Sequence, residues 1–123
     1  ERGAQVAASD YADALYQLTL VRKAIAAVFE DVDVLVTPTL VQLPVSIEAA
    51  QLSPNEVTGI LVRNTAPFNT YGIPAITVPC GFSREGLPIG LQLCGRALGE
   101  VDVLALAHAY EQATDWHDRT PPL

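Results

Sequence analysis

The chain has 123 residues, half of them hydrophobic, and a formal net charge of −7 at pH 7. An acidic chain with seven basic residues lacks the clustered Lys and Arg that phosphate contacts need, which argues against direct binding to nucleic acid. No apolar run approaches the roughly 20 residues of a membrane span, so we expect no membrane partner.

The composition also bears on whether this chain buries its own apolar surface or needs further polypeptide to cover it. Only 17% of the residues are charged, and no Met marks a translation start, whereas typical soluble domains have about 25% charged residues. A small domain should expose more polar surface than a large one. We therefore expect protein outside this chain to cover part of its apolar surface. The alternative is an Ala- and Leu-rich domain that buries its own apolar surface.

The first predicted element is a long helix. Ser9 can serve as its N-cap, and Asp10 suits the positive end of the helix dipole. Arg22 falls at the edge of the apolar stripe, where we expect an ion-paired or snorkelling role. The stripe predicts a helix from about Asp10 to Phe29 because its members recur at helical spacing: Tyr11, Leu15, Leu18, Ile25 and Phe29.

A short strand and a short helix are predicted next. Residues 34–36 (Val-Leu-Val) indicate a strand buried on both faces, as in a parallel or mixed sheet. Residues 39–52 show no regular pattern and predict irregular chain. Ser53-Pro54-Asn55-Glu56 is typical of a capping box with Pro in the first helical position. The helix that follows is expected to lead into a loop that ends at Gly72.

The strongest local prediction is a β-hairpin. Residues 75–78 and 89–93 are apolar runs, and residues 83–86 form a polar turn that ends in Gly. Along the second run apolar residues alternate with Gly, Gln and Cys, which predicts one apolar face and one small or polar face. After the hairpin, a second long helix with a wide apolar surface is expected from Gly99 to about Asp115.

The two cysteines are predicted to be free. The predicted turn places Cys80 near Ile89 and Cys94 near Ala75, so the two thiols would not face each other. Neither lies in a metal-binding or CxxC pattern. Buried free thiols fit a reducing compartment, and we expect a cytoplasmic location.

Residue chemistry alone indicates no self-sufficient active site. The serines are Ser9, Ser46, Ser53 and Ser83, none of them in a Gly-x-Ser-x-Gly elbow. Lys23 is the only lysine and has no serine near it in sequence. No metal-ligand spacing or nucleotide-binding glycine pattern occurs. We therefore expect no catalytic residue, no metal and no other cofactor in this chain. His108, on an apolar helix face, is expected to be a packed core or interface residue.

The centre of the chain resembles the closing motif of the amidase signature family. The resemblance rests on residues 67–81 (PFNTYGIPAITVPCG) and 86–95 (GLPIGLQLCG). The flanking segments agree in order: residues 10–11 with the long helix, 32–39 (VDVLVTPT), the helix over 100–116, and 119–123 (RTPPL). The resemblance therefore covers essentially the whole chain.

The resemblance implies an α/β fold, in which a mixed β-sheet is covered by helices. Residues 1–123 would be the C-terminal segment of an amidase domain, without its catalytic N-terminal portion. Family members hydrolyse or transfer amide nitrogen through a Ser–cis-Ser–Lys arrangement, and no position here matches those three residues. The implied function is that of the C-terminal portion of a hydrolase acting on carbon–nitrogen (amide) bonds. Its substrate would be a small amide bound by the full-length parent, and this chain alone would be inactive.

The resemblance also suggests where a substrate would lie. Thr65, Phe68, Asn69 and Tyr71 are expected in the wall of the substrate pocket, with Asn69 and Tyr71 also holding the loop. Two simpler interpretations stay open. Asn69 could satisfy only the backbone groups of a turn, and Phe68 could be only a core residue.

Two alternatives concern the kind of protein. In the A subunit of the glutamine-dependent tRNA amidotransferase, a family relative, an Asp shortly before the Pro-x-Asn-x-x-Gly motif helps to hold glutamine. The matching position here is Val62, which favours a general amidase over an amidotransferase fragment. The other alternative is a non-catalytic, free-standing interaction domain. That domain would unfold cooperatively at low concentration, whereas a fragment would form homo-oligomers through exposed sheet edges.

Overall fold

Five α-helices and three β-strands form the described part of the chain, residues 2–120 of this computed structural model. Short 3-10 turns lie at Arg2–Gln5 and Trp116–Asp118. This architecture confirms the predicted α/β class. The elements in chain order are α1 (Ala8–Val28), β1 (Val34–Pro38), α2 (Ile47–Leu52), α3 (Pro54–Leu61), α4 (Ala66–Tyr71), β2 (Ala75–Phe82), β3 (Pro88–Gly95) and α5 (Glu100–Gln112).

The sheet has the strand order β1–β3–β2, and both pairings are antiparallel. Strands β2 and β3 form the predicted hairpin. Ala75 lies opposite Cys94, and Cys80 lies in a bulge next to the residue that pairs with Ile89. Both cysteines are free. The prediction that the two thiols do not face each other is therefore confirmed. The predicted burial holds for Cys94 and is wrong for Cys80, which is half-buried.

The hairpin turn closes on residues 83–86, as predicted. The Ser83 N–H donates to the Leu87 carbonyl over 2.8 Å, and the Gly86 N–H donates to the Ser83 carbonyl over 3.0 Å. Ser83 Oγ accepts from the N–H groups of Glu85 and Leu87. Gly86 has φ +81°, a conformation that residues with a Cβ rarely adopt. The turn thus requires the glycine that its sequence supplies.

Strand β1 is confirmed, but its predicted burial on both faces is wrong. It pairs with β3 at one edge of the sheet, and Val36 is 54% exposed. Helix α5 packs on β2 and β3, so it leaves the apolar side chains of β1 without full cover. Three apolar residues in a row cannot distinguish a central strand from an edge strand.

The core lies between the sheet and α5. Its buried members are joined by half-buried Val34, Ile76, Leu91 and Tyr110. Val103, Ala107 and Tyr110 are spaced so that they fall on one face of α5. The buried members are Val78, Leu93, Val103 and Ala107.

A second apolar stripe of α5 faces away from the sheet. Val101 is 77% exposed, Leu104 is also exposed, and His108 lies on the exposed side of the helix. A core position for His108 is therefore wrong. An interface position for His108 stays a prediction.

Helix α1 confirms the predicted long helix to within a few residues. Its N-cap is Ala7, which makes no side-chain cap bond, so the predicted cap at Ser9 is wrong. Ser9 lies inside the first turn, with its Oγ 3.5 Å from Asp10 Oδ1. None of the residues of α1 is fully buried, because only a few of its apolar side chains meet other described elements.

Helix α2 corrects the prediction of irregular chain over residues 39–52. Ser46 caps it, accepting a 3.1 Å bond from the Ala49 N–H through its Oγ. Ser53 ends α2 and also precedes α3. Because Ser53 has C-cap geometry, its side chain makes no cap bond, and the predicted capping box is wrong. Pro54 does occupy the start of α3, as predicted.

Helix α4 replaces part of the loop predicted before the hairpin. Pro67 lies in its first turn, where the missing N–H costs no intrahelical bond. Gly72 ends the helix in a left-handed conformation, with φ +71°. The predicted end of the segment at Gly72 is confirmed, but the segment itself is helical.

The chain after α5 folds back onto the hairpin. The rings of Trp116 and Phe82 lie 6.2 Å apart between centroids. The Arg119 guanidinium lies 4.9 Å from the Phe82 centroid and 5.6 Å from the Trp116 centroid, a cation–π arrangement. The fluorescence of Trp116, the one tryptophan of the chain, should therefore report on folding. No helix among residues 2–120 is long and apolar enough to cross a membrane.

Burial of Cys94 predicts a loss of stability at alkaline pH. Desolvation raises the pKa of its thiol from 9.0 to about 11. As pH rises, the unfolded chain loses this proton before the folded chain does. We therefore expect the stabilisation from this thiol to be complete below about pH 9 and to be lost as pH rises through about 11.

Urea titrations at about pH 8 and about pH 10.5 measure this effect as a difference in the free energy of unfolding. Cys94→Ala should show a smaller alkaline loss than the parent chain, and Cys80→Ala should retain the parent's loss. An equal alkaline loss in the Cys94→Ala and parent chains would contradict the assignment.

Candidate functional site

The four residues predicted for a pocket wall lie in α4 and at its start. Thr65 is the half-buried N-cap residue, and its N–H and Oγ1 donate to the Val62 carbonyl over 3.1 and 3.4 Å. Half-buried Phe68 meets Tyr71 edge to face, with centroids 6.1 Å apart and planes at 85°. Asn69 is exposed, and its side chain makes no hydrogen bond within residues 2–120. The pocket role of these four residues stays a prediction.

A groove of about 490 Å³ lies between α1, the end of α4 and the segment after β3. Its walls include Arg22, Phe29, Tyr71, Ile73 and Arg96. Its volume falls in the range of small-molecule sites, about 300–1,000 Å³. Of the four predicted residues, the structure brings Tyr71 to this groove and leaves the other three outside its lining.

Arg22 connects α1 to the end of α4. Its Nε donates to the Thr70 carbonyl over 3.1 Å, and a cation is favourable near the C-terminal carbonyls of a helix. A Cβ at Gly72 would lie 3.6 Å from the same Nε, so the guanidinium packs against the glycine. Arg22 was predicted to be ion-paired or to snorkel, and in the structure its guanidinium makes a hydrogen bond to the backbone. Arg96, across the groove, pairs with Asp102 at 3.5 Å, and such an exposed pair contributes little stability.

A polar cluster lies on the sheet face opposite α5. Gln92 pairs with Thr37 on one side and Thr77 on the other. Its Nε2 donates to Thr37 Oγ1 over 3.1 Å and to the Asn64 carbonyl over 3.0 Å. Asn64 Nδ2 in turn donates to the Pro38 carbonyl over 2.8 Å. The alternation along β3 predicted a polar face, but nothing in the sequence indicated that Asn64 would meet it.

Two threonine hydroxyls meet across Gly90 on the same face of the sheet. Thr39 Oγ1 and Thr77 Oγ1 lie 3.1 Å apart in a hydrogen bond. A Cβ at Gly90 would lie 2.7 Å from Thr39 Oγ1 and 2.7 Å from Thr77 Cγ2, so a side chain there would separate the two threonines. These hydroxyls and the neighbouring amides can bind and orient polar groups.

The serines and the lysine have other surroundings. Ser46 and Ser83 accept backbone hydrogen bonds at a helix cap and at the hairpin turn. None of the side-chain hydrogen bonds or ion pairs within residues 2–120 involves the Lys23 ammonium group. No group of three His, Cys, Asp or Glu side chains in this part of the chain could hold a metal ion. What the described residues offer is hydrogen bonding and apolar contact.

A family model described as Amidase matches residues 1–104. The chain belongs to the amidase family. Among curated proteins, this amidase-family chain is 42% identical over 128 residues to the A subunit of glutamyl-tRNA(Gln) amidotransferase of Cyanothece sp., with 98% of this chain and 26% of that protein covered. It is 43% identical over 126 residues to the protein of the same name from a Synechococcus strain, with 98% and 24% covered. The resemblance inferred from the motifs is therefore confirmed.

Solved structures of two hydrolases contain the same fold. The 6-aminohexanoate cyclic dimer hydrolase matches with a TM-score of 0.76 and 28% identity over 98% of this chain and 27% of that chain. Allophanate hydrolase of Kluyveromyces lactis matches with a TM-score of 0.77 and 28% identity over 85% of this chain and 17% of that chain. The amidase-family chain thus spans about a quarter of the length of the curated relatives it matches.

Proposed function

We propose that residues 1–123 form the C-terminal segment of an amidase domain that acts on carbon–nitrogen bonds of small amides. The observation that carries this proposal is the agreement in fold with an amide hydrolase over 98% of the chain. The order of the motifs supports it, since segments on both sides of residues 67–95 also match the closing part of the amidase signature pattern. The nucleophile and base of the Ser–cis-Ser–Lys type would come from polypeptide outside these residues.

We assign this segment two tasks. The β1–β3–β2 sheet supplies part of the structural core, and α4 supplies part of the wall of the substrate pocket. Thr65, Phe68 and Tyr71 would form the wall, and Asn69, exposed on the same helix, would meet the substrate or the remaining polypeptide. The half-buried state of Phe68 and Tyr71 supports this role, because partly exposed aromatic faces are suited to apolar contact with a ligand.

A second candidate is the A subunit of a glutamine-dependent tRNA amidotransferase. The names of the curated relatives favour it. Val62, where that subfamily has an Asp that helps to hold glutamine, favours a general amidase. In either case we propose no direct contact with nucleic acid. A cytoplasmic location is supported by the two free cysteines, and pairing of copies through the exposed edge of β1 is a further proposal.

A chimeric enzyme tests the proposal. Residues 1–123 replace the matching quarter of 6-aminohexanoate cyclic dimer hydrolase, and hydrolysis of the 6-aminohexanoate cyclic dimer is measured. If α4 lines the pocket, Phe68→Ala should lower kcat/KM roughly tenfold or more, since a lost apolar contact in a pocket is worth about 10–200-fold. Tyr16→Ala is the matched control, because it removes an exposed aromatic side chain from α1 and should leave kcat/KM unchanged.

Two results would contradict the proposal. One is an unchanged kcat/KM for Phe68→Ala in a folded chimera. The other is release of ammonia from benzamide or propionamide by residues 1–123 alone, if that activity disappears on Lys23→Ala or Ser46→Ala. A matching chimera with the Cyanothece protein separates the two candidates. Glutamine hydrolysis that rises on Val62→Asp supports a general amidase, and efficient hydrolysis without that change supports the amidotransferase.

A further inference from the structure

We propose that Gln92 is a positioning residue, whose carboxamide holds the connection between α3 and α4 against the sheet and so places Thr65. This inference rests on the proposed function, because Thr65 belongs to the proposed pocket wall. The connection is residues 62–65, hereafter the α3–α4 connection. It also contains Val62, the position that separates the two candidate functions.

Gln92 is the one buried polar or charged residue within residues 3–120, with 3% of its surface exposed. A carboxamide nitrogen has two hydrogens to donate, and both are used, one to Thr37 Oγ1 and one to the Asn64 carbonyl. Buried polar groups need such partners, because an unsatisfied donor loses its bonds to water without compensation. One hydrogen of the carboxamide therefore anchors the Gln92 side chain to β1 of the sheet, and the other binds the α3–α4 connection.

Asn64 returns a second bond to the sheet. Its Nδ2 donates to the carbonyl of Pro38, the last residue of β1. The main chain of Asn64 is thus held by the central strand, and its side chain is held by an edge strand. These two bonds join residues that are 28 and 26 positions apart in sequence.

The remaining hydrogen bonds of the α3–α4 connection are local. The N–H groups of Thr65 and Ala66 both donate to the Val62 carbonyl, over 3.1 and 2.8 Å, and the Arg63 N–H donates to the Ile60 carbonyl. These bonds give the connection its shape but do not attach it to the sheet. Within residues 2–120, its hydrogen bonds to the sheet are those of Gln92 and Asn64. If they are lost, Thr65 moves with Asn64.

Amide hydrogen exchange of residues 1–123, measured by NMR, tests the inference. Gln92→Met keeps a side chain of similar length and removes both donors. We expect exchange at the Thr65 and Ala66 amides to become about tenfold faster or more. Exchange at the Gly95 amide, which donates to the Pro74 carbonyl just before β2, should change by less than about twofold.

Thr39→Val is the matched control. It also removes a hydroxyl bond on the polar face, that between Thr39 and Thr77, but it leaves Gln92 and Asn64 intact. Exchange at Thr65 and Ala66 should then match the parent chain. If Gln92→Met does not fold, Asn64→Ala is the test. It removes the hydrogen bond to the Pro38 carbonyl at a half-buried site. Hydrogen exchange at the Thr65 and Ala66 amides should then also become faster.

Two results would overturn the inference. One is unchanged exchange at Thr65 and Ala66 in Gln92→Met, or in Asn64→Ala if the first variant is unfolded. The other is an equal acceleration at Thr65, Ala66 and Gly95, since Gln92 would then stabilise the whole sheet and not the connection. The exchange measurement needs no substrate, so its result is independent of the Phe68→Ala test. A failed proposed function would appear only in the chimera.

Discussion

We expect Leu93→Ala to lower the free energy of unfolding by about 2–5 kcal/mol, the range for a Leu deleted from a packed core. Leu93 is 2% exposed and lies on the central strand, where it packs with Val78 and Val103. Removing its side chain leaves a cavity. The cavity cannot easily close, because β3 is hydrogen-bonded to a strand on each side. Urea unfolding followed by Trp116 fluorescence measures the change.

Leu98→Ala is the control for this prediction. The same atoms are removed, but Leu98 is 91% exposed, so the free energy of unfolding should change by no more than about 0.5 kcal/mol. Similar losses from Leu93→Ala and Leu98→Ala would contradict the location of the core between the sheet and α5.

The second large effect is expected for Gly95→Ala. A Cβ at this position would lie 2.5 Å from Val103 Cγ2 and 3.1 Å from the Gly99 carbonyl oxygen. One of these neighbours belongs to α5 and the other to backbone, so α5 has to shift away from the sheet. Overpacking of this kind costs about 1–3 kcal/mol of stability, measured by the same urea titration.

Two further variants check the cause of that loss. Gly81→Ala adds a Cβ where nothing lies within 4 Å, and it should cost clearly less than Gly95→Ala. Val103→Ala removes the methyl group that Gly95→Ala would meet. In a double-mutant cycle, the two changes together should therefore cost less than the sum of the two single losses. A simple sum would show that the Val103 contact is not the cause.

The local elements were largely predictable because their signals lie in neighbouring residues. The turn at residues 83–86 has Gly86 where φ is positive, and its polar residues stand between two apolar runs. Helix α1 follows from one long apolar stripe. The predictions failed at short segments, where few residues carry the pattern. Helix α4 contains a Pro and was predicted to be a loop, although Pro in a first turn is compatible with a helix.

The candidate site was predictable only in part. The family motif drew attention to Thr65, Phe68, Asn69 and Tyr71, whose roles stay predictions. The groove that Tyr71 shares with Arg22 depends on α1 and α4 lying side by side. No local pattern encodes that contact, because Arg22 and Thr70 are 48 positions apart.

By itself, the sequence determined the hairpin, the long helices and the family, because turn glycines, apolar spacing and motif order are properties of adjacent residues. Only the tertiary structure decided which of the two apolar stripes of α5 forms the core and which strand lies at the edge. It also decided that Gln92 reaches Asn64. Burial and hydrogen bonding between distant segments depend on how the elements pack, and a polar residue in an apolar strand shows that it needs a partner without showing which partner it has.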